Sequence, residues 1–217
     1  ERLTLTRAPV GLALAIGIAV VVLAAGAPLW HVLGHWAPPL GIAFRADGLA
    51  AAMMVTTALV IGATAIFARG DFGTAPGAPE TRRAFAFWPL LLALWGAINL
   101  LLVANDLFTL YVGLELLTFV AMPLVCLDGS RATLEAALRY LMFALLGSVL
   151  YLLGVALIYG ACGTLDIVLL SQRVAGQPAV ILAVAMMTAG LLAKTALLPL
   201  HLWLPPAHAG APAAGSA

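Results

Sequence analysis

The sequence predicts an all-α, polytopic transmembrane bundle of about six spans, one of them broken. Three observations carry that expectation. Of 217 residues, 64% are hydrophobic and only 9% charged, far outside the range of soluble domains. Apolar runs long enough to cross about 30 Å of hydrocarbon, roughly 20 residues each, fall at 9–28, 47–68, 86–104, 107–127, 134–161 and 178–198. The last run passes through Lys194 into Pro199, His201, Pro205, Pro206 and His208, residues that an apolar span does not hold without a reason.

Taken in order, the first run is too long for the core of a secretory leader and is followed by further spans, so it reads as a true crossing. The connection 29–46, with Pro38-Pro39, reads as turn-rich and irregular, and Asp47 as the cap of the second span. The connection 70–83 is similar, with Pro76 and Pro79. Only Asn105-Asp106 separates the third run from the fourth. The two together are too long for one crossing, so the polar pair is a turn and Asp106 a cap. Glu135 and Arg139 are spaced for an i,i+4 pair near the start of the fifth run. Residues 164–174 read as a short amphipathic helix on the outer surface, capped by Thr164.

Arg2, Arg7, Arg69, Arg82, Arg83 and Arg131 fall on one side of this topology, Arg45 and Arg173 on the other. The positive-inside rule then places the N-terminus in the cytoplasm. Trp30 and Trp36 suit the outer aromatic belt and Trp88 the inner one, while Trp95 lies inside a span and needs a packing partner. Cys126 and Cys162 fall at opposite faces, too far apart for a disulfide.

A lysine near the centre of a span costs roughly 2.5–3.5 kcal/mol, so Lys194 must face a partner, a wet cavity or a pathway. Pro199 lacks an amide hydrogen and crowds the Thr195 carbonyl, so helical bonding should fail beside the charge. The other deep charge is Glu115, roughly 12 Å into the fourth run at about 1.5 Å per residue. Tyr111 and Thr118, at i−4 and i+3, give its helix one polar stripe. Burial disfavours the charged form of either group and an opposite charge favours it, so a lysine moving toward and away from a carboxylate can load and release a proton. The alternative is a structural subunit whose ion pair only pins two helices. Sodium bound at the pair itself is disfavoured, because hard cations want several oxygens. His201 and His208 follow the break and are further candidates for the relay. No nucleic-acid partner, metal site or cofactor is expected, nor any bond-making chemistry; lipid surrounds the spans.

Four stretches carry a resemblance. Phe44-Arg-Ala-Asp47-Gly-Leu, Asn105-Asp-Leu-Phe-Thr-Leu-Tyr-Val-Gly-Leu-Glu115, Leu153-Gly-Val-Ala-Leu-Ile-Tyr159-Gly-Ala-Cys-Gly-Thr-Leu, and Lys194-Thr-Ala-Leu-Leu-Pro199-Leu-His201-Leu-Trp203-Leu-Pro-Pro-Ala-His208-Ala-Gly-Ala-Pro212 resemble the proton-conducting antiporter-like subunits shared by respiratory complex I and Mrp-type cation/proton antiporters. The resemblance implies two inverted five-helix bundles, each with one broken helix, and a midplane chain of charged residues and water. It makes Glu115 and Lys194 the charged pair of the first bundle and His201 and His208 the histidines of its broken helix. It also implies a bacterial-type inner membrane, partner membrane subunits, and protons as the transported ion, with sodium a further cation of the assembled complex. Pro206 and Gly210 depart from the acidic or polar residues the family often has there, so an Mrp-type antiporter and a redox-driven pump are not separated. On this reading residues 1–84 are N-terminal helices and loops, and 85–217 hold four of the five helices of one inverted-repeat unit. The remaining helices are then supplied by further sequence or by other polypeptides.

Overall fold

A computed structural model describes residues 1–74, 79–174 and 176–216. Five helices are long and apolar enough to span a bilayer: α1 (Arg2–Ala25), α2 (Gly48–Phe72), α3 (Arg82–Val103), α4 (Leu107–Val125) and α5 (Arg131–Cys162). The short α6 (Ile167–Arg173) leads to α7 (Pro178–Lys194), apolar but only 17 residues long, and then to α8 (Leu204–Gly210) and α9 (Ala213–Ser216). Neighbours in sequence pack as neighbours in space, and the most extensive helix–helix contact joins α5 to α7.

Helix starts follow local chemistry. Asp47 accepts from the Ala50 amide at 2.9 Å and Asp106 from the Thr109 amide at 2.7 Å, as their positions implied. Thr81 and Ser130 cap α3 and α5 the same way, so both helices begin several residues before the apolar runs 86–104 and 134–161. A helix needs a satisfied first turn more than it needs an apolar one.

The last run, 178–198, is interrupted beside the charge, as Pro199 implied: the helix stops at Lys194. Pro199 cannot donate and disfavours helical backbone at Leu198, and Ala196 takes a left-handed φ of 53°. The connection 29–46 is not irregular. Strands β1 (Leu29–Val32) and β2 (Ala43–Ala46) pair antiparallel, from Leu29 opposite Ala46 to Val32 opposite Ala43. The aromatic and branched side chains Trp30, Val32 and Phe44 suit a pleated surface. Pro76, in the other connection, lies outside the described residues.

At the end of the bundle away from most arginines, the hairpin, the α3–α4 turn and the α5–α6 turn are tied together. Phe44 bridges Ala104, and Asp106 bridges Asp166. The Ile167 amide donates to the Asn105 carbonyl at 2.8 Å, and Asn105 Nδ2 to Asp166 Oδ2 at 2.7 Å. Asp166, not Thr164, caps α6, accepting from the Leu169 amide at 2.9 Å. Thr164 is fully buried, its hydroxyl accepting from the Asp166 amide at 3.3 Å, so it is spent holding the cap residue itself.

Trp88 is buried near the arginine-rich end of the bundle, edge-on to Phe87, with its indole N–H donating at 3.3 Å to the carbonyl of Phe72, the last residue of α2. That carbonyl belongs to a helix end with no intrahelical partner, and the indole supplies one. Trp30 and Trp36 remain exposed. Trp95 finds its packing partner in α1: a Cβ on Gly11 would overlap its ring. Glu135 pairs with Arg131 at 2.8 Å, not with Arg139. Helical side chains lean toward the N-terminus, which carries the carboxylate to the preceding turn. Cys126 and Cys162 are both free, at the ends of α4 and α5 respectively.

Candidate functional site

Lys194 is the last residue of α7 and Glu115 the ninth of α4, on helices that do not adjoin in sequence. Close approach of α7 to α5 brings them together. Gly147 and Gly190 face each other so tightly that a Cβ on either would overlap the other's carbonyl, and Gly154 lies as close to Ala183 and Met187. Small residues let two membrane helices approach at backbone distance. α5 in turn lies on α4, so a side chain leaving the end of α7 reaches the middle of α4.

The Lys194 ammonium lies 3.1 Å from Glu115 Oε1, 3.1 Å from Thr118 Oγ1 and 3.5 Å from the Leu114 carbonyl. Its three donors thus meet three acceptors, all offered by one face of α4. The side chains are 10% and 14% exposed, so the pair is nearly withdrawn from solvent. At this separation and an effective dielectric of about 20, the attraction is about 5 kcal/mol, against which the cost of desolvating both charges must be set. The Thr118 hydroxyl donates to the Leu114 carbonyl at 3.0 Å and so presents its lone pairs to the lysine. The Ser148 hydroxyl, from α5, is shared between Glu115 Oε1 and the Ala144 carbonyl.

Behind the lysine the broken segment is held by Trp203. Its indole N–H donates to the Ala193 carbonyl at 3.0 Å, replacing a helical bond lost at the end of α7, and its ring stacks on Tyr140 at 4.6 Å. Lys194 therefore sits between the end of α7 and this clamp, its ammonium carried to α4 by a stem of four methylenes.

The structure brings together Glu115, Lys194 and Thr118 from the polar stripe. Tyr111 instead packs towards Phe108, ring centroids 5.9 Å apart. Among the described residues, no hydrogen bond joins His201 or His208 to Glu115 or Lys194. His201 Nδ1 is buried without a hydrogen-bond partner. His208 is exposed, its Nδ1 2.7 Å from Ser216 Oγ. Ser148 and Tyr140 were not singled out by sequence reasoning. The available signal was weak but present: Tyr140, Ala144, Ser148 and Tyr151 recur at spacings of four, four and three, a polar and small-residue face on an otherwise apolar helix.

Fold and site together define an integral membrane protein with a charged pair buried at an interrupted helix. Over residues 104–217, more than half of the chain, the sequence matches the family model described as NADH:quinone oxidoreductase/Mrp antiporter, TM. The chain belongs to this family. It is 36% identical over 193 residues to NADH-quinone oxidoreductase subunit N of Desulforudis audaxviator, covering 87% of this chain and 37% of that protein. It is 34% identical over 185 residues to a Na(+)/H(+) antiporter subunit of Alkalihalophilus pseudofirmus, covering 84% of this chain and 36% of that protein. Among solved structures, the Mrp complex from Dietzia sp. superposes with a TM-score of 0.85 at 28% identity, over 99% of this chain and 39% of the matched one. The chain thus spans little more than a third of the length of the curated relatives it matches.

Proposed function

We propose that this chain is part of a proton-translocating membrane subunit of a multi-subunit assembly, either a cation/proton antiporter or a redox-driven pump, in which Glu115 and Lys194 exchange a proton. The carrying observation is the buried contact of 3.1 Å between Lys194 Nζ and Glu115 Oε1 at the point where α7 is interrupted. An ammonium at the end of a continuous helix would have a fixed reach. Beside a break, small backbone changes move it relative to the carboxylate, and the energy at stake is several pKa units' worth. The partners are protons, other membrane subunits and, in the assembled complex, sodium as a second cation. The arginine-rich face, including the N-terminus, is the cytoplasmic one. His201, next to the break, and His208, at the exposed end of the segment, are the subsidiary relay residues.

A second reading has one observation in its favour: all three ammonium donors are occupied, as a static pin requires. Proton transport by the assembled complex in sealed vesicles separates the two readings. The relay reading expects Glu115→Gln and Lys194→Met each to lose most transport. Wild-type transport in both variants would sink it, and transport retained in the double apolar replacement Glu115→Leu with Lys194→Met would establish the pin.

A further inference from the structure

The end of α7 closes in a strained cap. The Leu197 amide donates to the Leu192 carbonyl at 3.1 Å and the Ala196 amide to the Ala193 carbonyl at 3.4 Å, the pair of bonds that ends a helix when the chain turns left-handed. Glycine ordinarily takes that turn, because it has no Cβ to crowd the backbone. Here it is taken by Ala196, with φ at 53°. A Cβ disfavours this conformation by roughly 5- to 30-fold, so something else must hold it.

Of the two cap bonds the one to Ala193 is long, and that carbonyl is met better from beyond the break. Trp203 Nε1 donates to it at 3.0 Å. The indole is 9% exposed and stacks on Tyr140 of α5 at 4.6 Å, so its direction is fixed. Ala196 itself packs against the cluster that contains Trp203. The Ala193 carbonyl belongs to the peptide bond that leads into Lys194, so the indole fixes the plane from which the lysine stem leaves. On the other side, a Cβ on Gly147 of α5 would stand 3.4 Å from Lys194 Cγ. The base of the stem is thus held from both sides.

We propose that Trp203 is a positioning residue, a latch that holds the end of α7 with Lys194 against Glu115 and opposes the strain at Ala196. The proposal rests on the relay reading of Glu115 and Lys194. With the indole bond made, the last turn of α7 is closed and the ammonium meets the carboxylate. With it broken, Ala196 relaxes out of the left-handed conformation, the last turn loosens and the ammonium withdraws. One hydrogen bond and one strained residue are of similar size, so neither state is locked.

The test is proton transport per folded complex, measured across pH with the assembled complex in vesicles. Trp203→Phe keeps a ring on Tyr140 but has no N–H to donate. Its rate should fall about 5-fold, the factor that one hydrogen bond carries. The midpoint of its pH profile should also move, because the distance from Lys194 to Glu115, the carboxylate that faces it, sets how firmly each holds its proton. Adding Ala196→Gly, which removes the strain that opens the latch, should restore most of the rate. A tryptophan that only supports the fold would lower the yield of complex and leave rate and midpoint alone. That result, while Glu115→Gln loses transport, overturns the latch and leaves the relay standing. A loss that Ala196→Gly does not lessen overturns the latch as well. Wild-type transport in both Glu115→Gln and Lys194→Met overturns relay and latch together. Should Trp203→Phe fail to assemble, the double variant is expected to assemble, and its failure too overturns the latch.

Discussion

Asp166 and Glu115 are both carboxylates withdrawn from the surface, one in the turn before α6 and the other in the middle of α4, and they are satisfied by different kinds of donor. Asp166 receives the side-chain amide of Asn105 at 2.7 Å and the backbone amide of Leu169 at 2.9 Å. Both donors are neutral, and the elements carrying them are locked by the bridges between turns. Glu115 receives a hydroxyl from Ser148 and an ammonium from Lys194, whose helix ends at that residue. A carboxylate held by neutral, backbone-anchored groups is a fixed part of the scaffold. One held by a cation at an interrupted helix has its charge, its partner's charge and the position of a helix end coupled, and such coupling is what the proposed proton exchange requires.

The largest expected effect follows from breaking that coupling. Lys194→Met leaves the Glu115 charge buried with only hydroxyl donors, and removing one partner of a buried pair typically costs about 3–5 kcal/mol. Unfolding in detergent should show a loss of that size. Adding Glu115→Leu should recover most of it, because an apolar pair of similar volume carries no desolvation cost. Failure of the second substitution to recover stability would mean that Glu115 is held mainly by groups other than the lysine.

Asp166→Ala should cost less, about 2 kcal/mol, from a lost helix cap and an unsatisfied Asn105 amide. The damage should stay local to the hairpin end, and proton transport per folded complex should remain at the wild-type rate. Reduced transport at unchanged folded fraction would erase the distinction between the two carboxylates.

The features that could be read ahead of the structure were those decided over short distances or by scarcity. Asp47 and Asp106 bond amides three residues away, so their capping follows from sequence neighbours alone. Glu115 and Lys194 could be matched because apolar runs contain few charges, and each needs the other. The strands at Leu29–Val32 and Ala43–Ala46 were hidden because their pairing is settled across a loop rich in Gly and Pro, not by either segment. The belt rule gives Trp88 a depth but not a partner, because it cannot know that the end of α2 needs a donor. Thr164 and Asp166 are both competent caps two residues apart, and only the Asn105 contact decides between them. Ser148 stayed hidden because a serine hydroxyl in a membrane helix commonly bonds its own preceding turn, as Ser148 also does.

Ser148 gives the finest test of the comparison, because it is the neutral half of the Glu115 environment. Its hydroxyl has one hydrogen and two acceptors, Glu115 Oε1 and the Ala144 carbonyl. Ser148→Ala removes a bond to a charged group, ordinarily worth about 1.5–3 kcal/mol, but the Ala144 carbonyl keeps its helical partner and the small methyl fits the same stripe on α5. The net loss should be about 1 kcal/mol, smaller than for Asp166→Ala. If Glu115 is held chiefly by Lys194, transport in Ser148→Ala should slow only severalfold, about the factor that 1 kcal/mol implies. A stability loss equal to that of Lys194→Met would show instead that the serine, a fixed neutral donor, carries the carboxylate. Glu115 would then be held as Asp166 is, and its suitability for exchange would go with it.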